Sequence, residues 1–371
     1  MAHHGLRELA RRRSSEMIEE LHALVSCESP SDSPAALAKC ADLLAPWGDE
    51  ATGRPARRLE VDGVPHLLWE ADEPQALLLG HFDTVWPMGT IASWPMTVRD
   101  GVARGPGVFD MKAGIVQMFA ALRLAADPAR VSVLLTGDEE TGSATSRELI
   151  EAQARRCPAV LVCEPSGDGG AVKVARKGVA WYRVDVAGRA AHAGLEPELG
   201  VNAGLELARQ VVALETLGSP ALGTTVTPTV LQAGTTANTV PESAVMHVDA
   251  RAWSRDELNR VDAAMQGLRP HLDEAVLTVF GGVNRYPLEP SLSRMLMEAV
   301  TTAAADVGLP PPAGARAGGA SDGNITAGVG APTLDGLGPL GAHPHGRGER
   351  VEVDTMPDRV ALLAALLNRL T

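Results

Sequence analysis

The sequence predicts an α/β protein: a catalytic domain on a mainly parallel sheet, interrupted by a smaller α+β insert. Three observations carry this. In the first half of the chain, apolar strand-like runs alternate with helix-periodic stretches, the pattern of a parallel sheet covered on both faces. From about Gly178 to Arg285 the pattern changes to alternating, half-exposed strands, and after Pro287 the α/β pattern returns. At 371 residues the chain exceeds one ordinary core, so residues 1–177 and 286–371 are expected to form the catalytic domain and 178–285 an inserted domain.

Taken in order, Glu8 to Cys27 places apolar side chains at helical spacing, and Ser29-Pro30-Ser31-Asp32-Ser33-Pro34 breaks that helix. A second helix is predicted from about Ala35 to Leu44. Val64–Trp69 and Ala76–Gly80 read as strands, the second an almost pure apolar run suited to the middle of a sheet. A Pro/Gly/Trp-rich loop, 86–107, precedes a helix at 113–126, a strand at 131–135, a helix at 146–154 and a strand at 159–163. The insert reads as strand, helix, strand, strand, helix, strand, an α+β module with one sheet face open. Helices at about 292–307 and 358–370 complete the catalytic domain. The Gly/Pro-rich stretch between them, 310–348, reads as ordered site loops because Ile325, Leu334 and Leu337 keep apolar punctuation.

A net charge of −13 excludes nucleic acid and anionic membrane surfaces as partners, since both require clustered Lys and Arg. The four cysteines, Cys27, Cys40, Cys157 and Cys163, are scattered, as expected for reduced thiols. Met1 to Arg7 lacks an apolar signal region, and no run approaches the roughly 18 apolar residues of a membrane span, so a cytoplasmic location is expected.

Polar residues gather where the apolar runs end. Ala76–Gly80 leads into His81 and Asp83, Val131–Leu135 into Asp138-Glu139-Glu140, and Ala159–Cys163 into Glu164; Asp110 opens a helix, and His343 and His345 lie late in the chain. Strand C-termini are where open α/β sheets place ligand crevices. Imidazole and carboxylate at this density suit zinc or a similar divalent ion, and the surplus over one coordination sphere points to two metals sharing a carboxylate. The duller readings are a solvated acidic turn at 138–140, a helix N-cap at Asp110 and a satisfied core pair at His81 and Asp83.

Several motifs together carry a family resemblance. His81-Phe82-Asp83-Thr84-Val85, Gly105 to Gly114, Thr136 to Ser143 and Glu164-Pro165-Ser166 resemble, in order and spacing, the zinc-dependent exopeptidases that include glutamate carboxypeptidases, acetylornithine deacetylase and succinyl-diaminopimelate desuccinylase. Gly188 to Gly194 and Pro197 to Ala203 look most like the glutamate carboxypeptidase branch. The resemblance implies that His81 and Glu164 bind one metal, Glu140 and a late histidine the other, and that Asp110 bridges them, with zinc first and cobalt or manganese as substitutes. His345 is preferred as that histidine because Glu349 follows it by four residues, the commoner family spacing. Glu139 is implied as general base, and Asp83 as the residue that fixes the tautomer of His81. Adjacent side chains on an extended strand end point opposite ways, which would separate the roles of Glu139 and Glu140.

By the same resemblance, His192 stabilises the oxyanion from across a homodimer, the insert serves as dimerisation or lid domain, and Asn238, Arg251 and the loop with Gly319 and Ser321 hold the substrate's free α-carboxylate. The expected activity is release of a C-terminal amino acid, glutamate above all, from a peptide or N-acyl substrate of the folate type. The alternative is an N-acyl-amino-acid deacylase or desuccinylase, and a more remote one is a non-catalytic metal-binding scaffold. Trp86 and Trp94 are read either as a pocket lining or as loop anchors.

Overall fold

In a computed structural model that describes residues 5–371, the chain divides into two compact units. One comprises residues 5–175, 288–317 and 321–371; the other comprises 176–287 with 318–320. Met1 to His4, with which the reading of a missing signal region begins, lie outside the described residues. Among the described residues no helix is long and apolar enough to cross a membrane.

The first unit is built on a six-stranded sheet in the order 57–61, 64–69, 131–136, 76–81, 160–162, 333–334. Ala76–His81 runs parallel to both of its neighbours, Val131–Thr136 and Val160–Val162, and all six of its residues are buried. This is the α/β class that the apolar runs predict; beyond 131–136, strand 64–69 pairs with it antiparallel and 57–61 pairs antiparallel with 64–69. Helices Pro34–Thr52 and Ala113–Leu122 supply much of the covering core. Trp69 meets Phe119 edge-on at 5.6 Å, and Gly48 leaves room for the indole, since a Cβ there would lie 2.1 Å from the ring.

Some elements differ from expectation. The helix expected over 8–27 is two, Gly5–Arg12 and Ser14–Ser26, broken at Arg13. The helix expected to stop at Leu44 continues through Pro46 to Thr52 and ends on Gly53, at φ 69°. The loop 86–107 contains a short helix, Thr90–Ser93, and two edge strands, Thr97–Arg99 and Val102–Arg104. The Gly/Pro-rich region contains the helix Asp322–Gly328, closed by a capping box of Ser321 and Asn324.

The second unit is a four-stranded antiparallel sheet, ordered 225–233, 243–252, 178–187, 276–285, with helices Ala203–Glu215 and Arg255–Gln266. Its core, including Tyr182, Val184, Met246, Leu258 and Met265, is separate from that of the first unit.

Candidate active site

The ends of the parallel strands supply most of the site. Ala76–His81 ends on His81, whose ring is buried. His81 Nδ1 lies 3.1 Å from the Asp83 carbonyl oxygen and 3.3 Å from Asp83 Oδ1, which leaves Nε2 facing Asp110 Oδ1 and Glu164 Oε1, each at 3.3 Å. Asp83 does more than orient that ring. Its Oδ1 accepts the Glu139 N–H and its Oδ2 the Glu140 N–H, both at 3.1 Å, and Ser31 Oγ donates to Oδ2 at 2.7 Å.

The strand Val131–Thr136 runs into a 3₁₀ turn, Glu139–Thr141. The strand-end argument for separating Glu139 from Glu140 is therefore corrected: successive side chains diverge here because a 3₁₀ turn rotates about 120° per residue. Glu140 Oε2 lies 3.1 Å from His345 Nε2, which is also 3.3 Å from Asp110 Oδ2. Asp138, given no chemical role by sequence, shapes the turn: its Oδ2 accepts the Thr145 hydroxyl and backbone N–H, each at 2.7 Å, and the Ser146 N–H at 3.3 Å.

Asp110 is no N-cap, because the helix begins at Ala113 with Lys112 in the cap position. The helix start lies tight against the third strand end: a Cβ on Gly114 would sit 2.1 Å from the Cys163 carbonyl oxygen. Lys112, which the sequence gives no role of its own, is buried and donates Nζ to the carbonyls of Leu24 at 3.0 Å and Cys27 at 2.8 Å.

Two donor groups result, His81–Asp110–Glu164 and Asp110–Glu140–His345, each with its ligand atoms within 4.8 Å of one another. Asp110 offers one oxygen to each, and Glu139 belongs to neither. His343, the other late histidine, also lies outside both groups. The chemistry fits a pair of divalent cations. Each group joins one imidazole to two carboxylates, and Glu140 Oε1 is buried with no hydrogen-bond partner.

Without metal, protons fill the same need. Hydrogen bonds to Asp110 and Glu140 raise the pKa of His345 to about 10. Burial disfavours the charged form of His81, but its contacts with Asp110, Asp83 and Glu164 outweigh it and raise that pKa well above the ordinary value. Burial likewise acts upward on Asp110, and the two histidines overcome it and hold the carboxyl far below the usual range. At Glu140 burial prevails over His345, and its pKa rises.

Residues 77–369 match Peptidase family M20/M25/M40. The chain belongs to that family. It is 31% identical to carboxypeptidase G2 of Pseudomonas sp. (strain RS-16) over 309 residues, 78% of this chain and 72% of the relative. It is 30% identical to succinyl-diaminopimelate desuccinylase 2 of Shewanella loihica over 348 residues, 86% of this chain and 92% of the relative. Among solved structures, aminopeptidase PepT of Bacillus cereus shares the fold with a TM-score of 0.72 at 22% identity, covering 96% of this chain and 98% of that one. As an M20 protein the chain is a metal-dependent hydrolase.

The remaining residues singled out by sequence lie elsewhere. His192, Asn238, Arg251 and Gly319 belong to the second unit. His192 is exposed, and its Nδ1 accepts the Gly194 N–H at 3.1 Å, so the ring proton of the neutral form sits on Nε2. The Arg251 guanidinium is engaged by Asp249 at 2.8 and 3.1 Å and by the Gly318 carbonyl at 3.2 Å. Ser321 is buried, donating to Asp335 Oδ2 at 2.6 Å and accepting the Gly323 N–H at 3.1 Å, so its hydroxyl is committed to the helix cap. Trp86 and Trp94 pack edge-to-face at 5.0 Å, which fits loop anchors.

Proposed function

We propose that this M20 chain removes a C-terminal amino acid, glutamate first among them, from a peptide or N-acyl substrate such as a folate-type compound. The observation that supports this most is the pair of donor groups sharing Asp110, with Glu139 beside Glu140 yet outside both. Two divalent ions, zinc ahead of cobalt or manganese, would be held by His81, Glu164, Glu140, His345 and the shared Asp110, and when bound would polarise the scissile carbonyl and acidify water. Asp83 keeps Nε2 of His81 facing its group and anchors the backbone of Glu139. The Glu139 carboxylate takes a proton from the attacking water and passes it to the leaving amine. His192, from the partner subunit of a cytoplasmic homodimer, offers its Nε2–H to the oxyanion. Arg251 exchanges Asp249 for the substrate's α-carboxylate, assisted by Asn238 and the backbone at Gly319. Residues 178–285 act in this scheme as the dimerisation or lid domain.

A second reading, desuccinylation, draws on the likeness to the Shewanella loihica protein over 92% of its length. Zinc-loaded protein assayed on folate, peptides ending in Glu, N-acetylornithine and N-succinyl-diaminopimelate separates the two. Glutamate release supports the first; turnover confined to the acylated diamino acids moves the assignment to the second; no release from any substrate sinks both. In the same assay Glu139→Gln should abolish turnover while two metals per chain remain, and loss of metal would make Glu139 a ligand. Arg251→Ala should raise KM at least about tenfold for substrates with a free α-carboxylate. An equal rise for an ester-blocked analogue would remove the clamp.

A further inference from the structure

Glu349 is fully buried, and four N–H groups converge on its carboxylate. Oε2 accepts the backbone N–H of Gly107 at 3.0 Å and the indole N–H of Trp86 at 2.9 Å. Oε1 accepts the backbone N–H groups of Phe109 at 2.8 Å and Asp110 at 3.0 Å. A buried carboxylate is tolerated when its lone pairs are filled in this way, and charge-assisted bonds of this kind are stronger than bonds between neutral groups. The three backbone donors all lie on the segment that delivers Asp110 to the site. The Glu349 N–H in turn donates to the Gly346 carbonyl at 2.8 Å, closing the turn that follows His345. Its side chain thus joins the Trp86 loop to the Asp110 segment, and its backbone closes the turn that follows His345.

We infer that Glu349 is a positioning residue that holds the Asp110 backbone in the orientation from which its two oxygens serve both donor groups. The inference rests on the metal-site reading given under Proposed function. Glu349 itself belongs to neither donor group, so its influence passes through Asp110 and His345. Glutamine in its place keeps the shape but turns an NH₂ toward backbone N–H donors, leaving at least one without an acceptor. Partners of this kind, one shell removed from the metal, typically govern affinity by about 10- to 100-fold.

The test uses full-length wild type, Glu349→Gln, Trp86→Phe and His345→Ala, each titrated with Co²⁺ against a competing chelator. The visible d–d spectrum and Tm are recorded alongside. Wild type should take up two Co²⁺ per chain. Folded Glu349→Gln should bind its weaker Co²⁺ about tenfold less tightly or worse, with a changed d–d band. Trp86→Phe removes one donor of the four and should weaken binding by a smaller factor, about two- to fivefold. A folded Glu349→Gln whose titration and spectrum superimpose on those of wild type overturns the inference, because a merely structural role would move Tm alone. If Glu349→Gln does not fold, Trp86→Phe decides in the same way, and an unchanged titration overturns it. His345→Ala separates the two failures. If that variant binds two Co²⁺ as wild type does, or if wild type binds fewer than two, the metal-site reading falls. If His345→Ala weakens binding and Glu349→Gln does not, only the positioning role falls.

Discussion

His345 and His81 bring positive charge to Asp110, Glu140 and Glu164 when no metal is bound. Both have folded-state pKa values above the ordinary 6.5, His345 through its hydrogen bonds to Asp110 and Glu140. A group of this kind stabilises the fold fully below its unfolded pKa and loses that contribution as pH rises through the folded one. The chelator-treated protein should therefore lose thermal stability between about pH 6.5 and about 10, read as a falling Tm. His345 is half exposed, which keeps its share modest, and His345→Gln should shallow the slope without abolishing it. A Tm that rises over this window would contradict the assignment. Single residues differ in how legible they are. His81, Glu140 and Glu164 stand out because acids and histidines at the ends of apolar runs break the local pattern, whereas Asp110 and His345 are picked out by the family-like motifs around them. Glu349 enters the sequence reading only as the residue four after His345, and Lys112 only inside the Gly105–Gly114 motif, and neither pattern gives their partners. The Glu349 carboxylate meets Gly107 across 242 positions and the Lys112 ammonium meets Leu24 across 88, and no local period marks partners so distant. The Ser321 hydroxyl is committed to the helix cap and to Asp335, fourteen residues on, a partner that no local pattern marks.

Among the elements, the helix Ala113–Leu122 shows how tightly the scaffold meets the site. Its Gly114 lies where any Cβ would collide with the carbonyl of Cys163, the residue before Glu164, and backbone yields less easily than a flexible side chain. Gly114→Ala should cost about 1–3 kcal/mol, seen as a lower Tm, and should weaken metal retention because the displaced helix carries the Asp110 segment with it. Gly318→Ala, where a Cβ meets nothing within 4 Å, should leave Tm unchanged. Equal behaviour of the two variants would remove the packing argument. Long apolar runs announce the central strands to within a residue or two, because burial on both faces leaves little choice of side chain. The short strands Thr97–Arg99 and Val102–Arg104 are silent: every residue of the first is exposed, and the second has a single buried one, so neither carries a hydrophobic signature. The helix end at Thr52 is hidden for another reason, since Pro46 suggests a stop that tertiary packing overrides.

For the whole molecule, the change of pattern near Gly178 and Pro287 makes a two-part organisation readable, because each part buries its own apolar set. If His192 serves the partner's site, inactive His192→Ala and inactive Glu139→Gln subunits should complement. Random mixing of two such subunits yields half heterodimers, each with one intact site, so activity should recover to about a quarter of wild type. Continued inactivity of a verified heterodimer would place His192 outside the partner's chemistry.

Asp83 has a consequence for how variants of this chain combine. One carboxylate faces the His81 ring, anchors the backbones of Glu139 and Glu140, and receives the Ser31 hydroxyl. Damage at these positions converges on the same lost function, so a second substitution made after the first should add little further harm. Among randomly mutated copies this neighbourhood would behave as a single genetic unit, with few partially working intermediates between the intact arrangement and an inert one.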